Sequence, residues 1–219
     1  MNAIPRQYID GRVNFFGREL VVTPDVLIPR FETEILVEEA VSILKEFSGR
    51  GYADILDIGT GSGNIAISLT SSSKKTKIVA SDVSESALEI ARSNAEINGV
   101  SDRIEFIISD LFNNIRGYFD MIISNPPYVA SEELASLDPE VLSEPRVALD
   151  GGPGGLFFLR KIIEEAPYYL KGGGYLLMEI GYDQADAAMD ILKASALERF
   201  ELKKDYAGID RVIIARNNG

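Results

Sequence analysis

The stretch Ser124-Asn125-Pro126-Pro127-Tyr128 follows an apolar run from Phe119 to Ile123. Proline has no N–H and a fixed φ, so a central strand stops at Pro126 and Pro127. The residue before each proline is pushed towards extended backbone, which holds Asn125 and Pro126 straight. Such a corner offers two fixed hydrogen-bond acceptors, the Asn125 side-chain oxygen and the Pro126 carbonyl. They suit a planar NH2 group as nucleophile. Its lone pair is delocalised into a carbonyl or ring, so it attacks poorly and becomes positive as the electrophile arrives. Acceptors on both N–H bonds stabilise that charge and set the lone pair in line. Tyr128 adds a flat face on which a planar substrate can stack. A turn after a strand explains one proline, but not the ordered tetrad.

A second constellation supplies the electrophile. Asp57-Ile58-Gly59-Thr60-Gly61-Ser62-Gly63-Asn64 lies between an apolar strand and a helix. Gly59, Gly61 and Gly63 let the backbone turn tightly and approach a ligand without Cβ obstruction. The spacing is G-x-G-x-G, not the G-x-G-x-x-G of dinucleotide loops. Asp57 repels a pyrophosphate and attracts an ammonium. Asp82, at the end of the next strand, can accept from both hydroxyls of a ribose. Asp110, at the end of the third, can accept from an adenine amino group, with Leu111 beside the ring. One Asp at a strand end is ordinary turn and cap chemistry. Three at successive strand ends, with the glycine loop, describe a ligand with ammonium, ribose and adenine but no phosphate. S-adenosylmethionine fits that description and NAD fits it poorly.

The elements that must position these residues alternate. Residues 6–28 read as short strands and turns, with Asp10-Gly11 and Phe16-Gly17 as turn signals. A helix begins at Thr33, with Leu36, Ala40, Ile43 or Leu44, and Phe47 on one face. Strands follow at 53–58, 77–82, 103–110 and 118–124, separated by helices at 64–72 and 84–99. Beyond a long loop come a helix at 155–171, a strand at 174–181, a helix at 183–196, and strands near 198–205 and 211–216. Nearly continuous apolar strands alternating with helices indicate a mostly parallel sheet covered on both faces. The last two strands have no helix between them and predict an antiparallel hairpin at one edge. The expected organisation is a β-hairpin appendage over 1–30 and one α/β catalytic domain over 31–219. The fourth core strand lies beside the first in such a sheet, which brings Asn125 to face the methyl donor.

Composition excludes much. The 219 residues contain no cysteine and no histidine, so disulfides, thiolate or imidazole metal sites and a Ser-His-Asp triad are all ruled out. No metal is expected. No apolar run could span a bilayer, and the first residues lack the pattern of a signal peptide, which predicts a cytoplasmic protein without a membrane partner. The net charge of −12 argues against a nucleic-acid partner, because phosphate affinity rests on basic residues.

At these motifs the chain resembles a known family. "NPPY" after "DIGTGSG" is the signature of class I methyltransferases acting on exocyclic or amide nitrogen. The wider sequence resembles the bacterial release-factor glutamine N5-methyltransferases, the PrmC/HemK family. The resemblance runs through "YIDGRVNFFG", "VLIPRFETEILVEEAV", "SDLF", "EPRVALDGGPGGL", "GGGYLLMEIGYDQ" and "AGIDRVIIARN". It implies a Rossmann-like seven-stranded fold, with S-adenosylmethionine consumed and S-adenosylhomocysteine released. The implied acceptor is the glutamine amide of the Gly-Gly-Gln loop of peptide-chain release factors, a function in translation termination. Donor contacts carry over to Gly59, Thr60, Gly61, Ser62, Gly63, Asp82, Leu111 and Asn125, and substrate contacts to Asn125, Pro126, Pro127 and Tyr128. Two departures stand out. Phe31 takes the place of a usual proline, and the family's N-terminal helical docking domain has no counterpart in these residues.

A nucleobase amino group also fits the corner, so adenine or guanine methylation in DNA or RNA is the alternative chemistry. A donor-binding regulatory module is a third reading, but one that has no use for the tetrad. "IPRFETE" either brings Arg30 and Glu32 towards the site or caps a helix with a salt bridge. "DGGPGG" at 150–155 lacks the Lys-Ser/Thr ending of a phosphate loop and reads as a mobile connection. Asp210 and Arg211 are expected to stabilise the terminal hairpin.

Overall fold

The computed structural model describes residues 4–47 and 51–219. A short helix, α1 (Arg6–Asp10), precedes a hairpin of β1 (Arg12–Phe15) and β2 (Arg18–Val21). The hairpin turns through Phe16 and Gly17, at φ 49° and 72°, the paired left-handed conformation that matches strand twist. After α2 (Thr33–Glu46) come β3 (Ala53–Ile58), α3 (Asn64–Ser72), β4 (Thr76–Asp82), α4 (Glu85–Ile97), β5 (Ile104–Ile108) and β6 (Phe119–Ser124). The chain ends with α5 (Phe157–Glu165), β7 (Leu170–Glu179), α6 (Ala185–Lys193), β8 (Glu198–Lys204) and β9 (Asp210–Arg216).

The seven-stranded sheet has the order β5-β4-β3-β6-β7-β9-β8, parallel except for the pairings of β9. The expected edge hairpin is present, with β9 inserted between β7 and β8. The direction of winding reverses between β3 and β6, and the crevice at such a switch point is where doubly wound sheets bind ligands. Successive side chains of a strand serve opposite faces. Ile55 and Ile123 join α2 and α3 in one apolar core, while Leu56 and Ile122 join α5 and α6 in the other. Phe15 and Leu20 of the small hairpin belong to the first of these cores.

Three expectations are corrected here. Residues 6–10 form a helical turn, not a strand, and close on Gly11 at φ 69°. The third core strand stops at Ile108, so Asp110 lies in the turn beyond it. The helix expected over 155–171 is α5 followed by a 3-10 turn at Ala166–Tyr168, and Leu170 already pairs with Phe119 in the sheet. Among the described residues, no helix is long and apolar enough to cross a membrane.

Candidate active site

The cleft opens above β3, β4 and β6. Gly59, Gly61 and Gly63 all adopt positive φ, at 71°, 54° and 82°, which only glycine tolerates without strain. Four of the loop's amides are spent inside the protein. Gly59 and Thr60 donate to the Ser81 carbonyl at 2.8 and 2.9 Å, Gly61 donates to Asp82 Oδ2 at 2.9 Å, and Gly63 donates to the Thr60 carbonyl at 2.8 Å. A phosphate cradle needs such groups free. Asp82 lines the cleft beside this loop, with one oxygen held by Gly61 and the other by Ser84, both at 2.9 Å. Burial raises the Asp82 carboxyl above its usual range, against the pull of those backbone donors.

Asp57 is placed differently from the expectation. It is fully buried beneath the loop, and the cleft wall is made by Ile58 and Thr60 above it. Oδ2 accepts from Thr60 Oγ1 at 2.7 Å, and Oδ1 has no partner. Burial pushes its carboxyl up to about 7. Further along the cleft, exposed Asp110 and half-buried Leu111 form one wall. Leu111 sits at φ 48°, a strained backbone for a leucine, with its carbonyl held by Ser109 Oγ at 2.8 Å.

Asn125, Pro126 and Pro127 line the same cleft. Asn125 Nδ2 donates to Thr33 Oγ1 at 3.1 Å, and no described residue donates to Asn125 Oδ1 or to the Pro126 carbonyl. The two acceptors required by the chemistry are thus both unspent. Tyr128 turns away from this wall. Its hydroxyl faces buried Glu179 at the end of β7, and burial with that neighbouring acid raises the phenol's pKa.

Several residues that hold the site carry no motif of their own. Gln184 Nε2 donates to the carbonyls of Tyr128 and Gly155, at 3.0 and 3.1 Å, while its Oε1 takes the Gly181 amide at 2.9 Å. The 150–155 segment is a packed buttress rather than a mobile connection. Its Gly151 amide donates to the Val129 carbonyl at 2.8 Å, its Gly152 carbonyl takes the Ser131 amide at 3.0 Å, and a Cβ at Gly155 would stand 2.2 Å from the Tyr128 carbonyl. Asn94, fully buried on α4, donates to the Val21 and Ser62 carbonyls at 2.9 Å, tying the small hairpin to the glycine loop. Arg30 lines the cleft and pairs with Glu144, not Glu32, and Glu144 also takes the Ile28 amide at 2.9 Å. The signal for Gln184 and Glu144 is their place in two of the segments that carry the family resemblance. Local periodicity says nothing of their partners.

A doubly wound sheet of this order, with the G-x-G-x-G loop at the switch point and the Asn125–Tyr128 corner beside it, defines a class I methyltransferase. The same fold occurs in a methyltransferase from Pyrococcus furiosus, with TM-score 0.64 and 22% identity over 93% of this chain and 90% of that one. It also occurs in the hMettl16 catalytic domain solved with a MAT2A 3'UTR hairpin, with TM-score 0.73 and 19% identity over 93% and 77% of the two chains. Residues 33–158 match the Methyltransferase small domain family. The chain is 42% identical over 98% of its length to the release factor glutamine methyltransferase of Thermodesulfovibrio yellowstonii, covering 77% of that protein. The chain belongs to the release factor glutamine methyltransferase family.

Proposed function

We propose that this enzyme methylates the side-chain amide nitrogen of a glutamine in a peptide-chain release factor, with S-adenosylmethionine as donor. The observation that carries this reading is the pair of unspent acceptors, Asn125 Oδ1 and the Pro126 carbonyl, in a cleft shared with Asp82. The relatives' names supply the substrate, and the corner supplies the chemistry.

The residues present suit the donor. Asp82 keeps a lone pair on each carboxylate oxygen for ribose hydroxyls, and Leu111 offers an apolar face for adenine. The amides of Gly59, Thr60, Gly61 and Gly63 are already bonded within the protein and are not offered to a phosphate. Asp57, with an orphaned buried oxygen and a raised pKa, is poised to ionise when an ammonium approaches the loop. When bound, S-adenosylmethionine supplies the electrophilic methyl group. Asn125 and Pro126 then hold both N–H bonds of the substrate amide, fix its lone pair, and stabilise the positive charge the nitrogen gains.

Incubating the protein with isotopically labelled donor and a release factor, followed by peptide mass spectrometry, tests the reading. One methyl on the Gly-Gly-Gln glutamine is expected. Methylated adenine in added nucleic acid, with no modified glutamine, would replace it with the nucleobase alternative.

A further inference from the structure

The Asn125 amide can serve as acceptor only if its oxygen, not its nitrogen, faces the substrate. A threonine hydroxyl cannot enforce that alone, because it both donates and accepts. Thr33, buried at the start of α2, takes the Asn125 N–H at 3.1 Å. Behind it lies Glu179, 1% exposed, with both carboxylate oxygens buried and unpartnered. The Thr33 and Tyr128 hydroxyls face that carboxylate and favour its charged form, although neither closes to hydrogen-bonding geometry. An ionised carboxylate can only accept, so a Thr33 hydroxyl that turned its proton to Glu179 would offer Asn125 lone pairs alone.

We propose that Glu179 and Thr33 are positioning residues for the methyl acceptor corner: the Glu179 carboxylate orients the Thr33 hydroxyl, which fixes the Asn125 amide with Oδ1 towards the substrate. This rests on the corner's proposed role in amide methylation. The other groups around Glu179 are Arg211 from β9, paired with Asp205 at 3.3 Å, Glu32 ahead of α2, and Tyr128, which in turn faces Arg30. Arg211 is bonded to Asp205 and, through Nη1, to the Ile180 carbonyl at 3.3 Å, so it acts on Glu179 through its charge and not through a hydrogen bond. Burial pushes the Glu179 carboxyl up to about 7. Once protonated, Glu179 becomes a donor to Thr33, the Thr33 proton turns to Asn125, and the amide loses its reason to face the right way.

Two readouts test this, one independent of turnover. In 15N-labelled protein, the Asn125 side-chain amide signals (assigned by their loss in N125D) should shift in Thr33→Val and stay in place in Thr33→Ser. In kinetics with a release factor, Thr33→Val should lower kcat about 10-fold or more, with KM and donor Kd within about 3-fold. Thr33→Ser should restore most of kcat. The wild-type kcat should rise with pH through about 7, and Glu179→Gln should flatten that limb. Should Thr33→Val fail to fold, Thr33→Ser and Glu179→Gln carry both readouts. Unmoved Asn125 signals, or a Thr33→Val kcat equal to wild type, would overturn the assignment. Amide signals that respond as expected in an enzyme that leaves glutamine unmodified would instead sink the proposed substrate and leave the positioning role standing.

Discussion

Asn125 is asked to do two things at once: its nitrogen is tied to Thr33 at 3.1 Å and its oxygen stays available in the cleft. On the proposed mechanism, removing the side chain takes away an acceptor that matters most as charge develops on the substrate nitrogen. Asn125→Ala is therefore expected to cut kcat about 100-fold or more, while KM for the release factor moves much less. A mutant that keeps its maximal rate but binds substrate poorly would show that Asn125 only docks it. Asp82 is the group proposed to act on the methyl donor. Its carboxylate is pre-set by Gly61 and Ser84, so Asp82→Ala loses charge-assisted bonds worth roughly 1.5–3 kcal/mol, a roughly 10- to 150-fold weaker donor Kd. Calorimetry on the folded mutant reads this directly. Both residues were legible in the sequence because each closes an apolar strand with a polar side chain. Thr33 and Glu179 were not. A threonine at a helix start and a glutamate at a strand end look like ordinary boundaries until the fold brings them together.

At the scale of elements, the same limit separates what was readable from what was not. The strand Ala53–Ile58 and helix Asn64–Ser72 were bounded residue for residue, and the glycines at 59, 61 and 63 mark the junction between them. The 150–155 segment reads locally as loose turn, since glycine and proline say only that the chain bends. Its rigidity comes from a distant partner, the Tyr128 carbonyl, bridged by Gln184. Two adjacent glycines separate these roles. Gly154 has φ 63° and nothing within 4 Å of a would-be Cβ, so Gly154→Ala should cost only the backbone term of about 1 kcal/mol. Gly155, at φ 72°, would drive its Cβ into the Tyr128 carbonyl at 2.2 Å and against Gln184. Gly155→Ala should destabilise by more than about 2 kcal/mol and slow turnover together, as the corner is displaced. Paired thermal melts and rate measurements check this, and equal effects of the two substitutions would deny the buttress.

Across the whole molecule, the two acids buried beside the site are expected to set the pH dependence of stability. The chain has no histidine and no cysteine, so between pH 6 and 8 only the α-amino group would ordinarily titrate. Asp57 and Glu179, both raised by burial to about 7, fill that window. A carboxyl with a raised native pKa binds its proton in the folded state after the unfolded chain has lost it. The stability it contributes is complete below the ordinary carboxylate range and is lost as pH climbs through about 7. Asp150 and Asp205 are lowered instead, and their contribution is lost only in more acidic solution. The net charge of −12 adds repulsion in the same direction as the buried pair. The melting temperature of the unliganded protein should therefore fall from pH 6 to pH 8, on the order of 5 °C if each acid loses about 1.4 kcal/mol. Asp57→Asn and Glu179→Gln should each flatten part of that slope. For Glu179 the trade is explicit: the protonated form that stabilises the fold releases Thr33 and Asn125, so Glu179→Gln should melt higher than wild type at pH 8 and turn over more slowly. Calorimetric scans of the three proteins across this range decide it, and a wild-type melting temperature that is flat or rises with pH would mean the buried acids stay ionised.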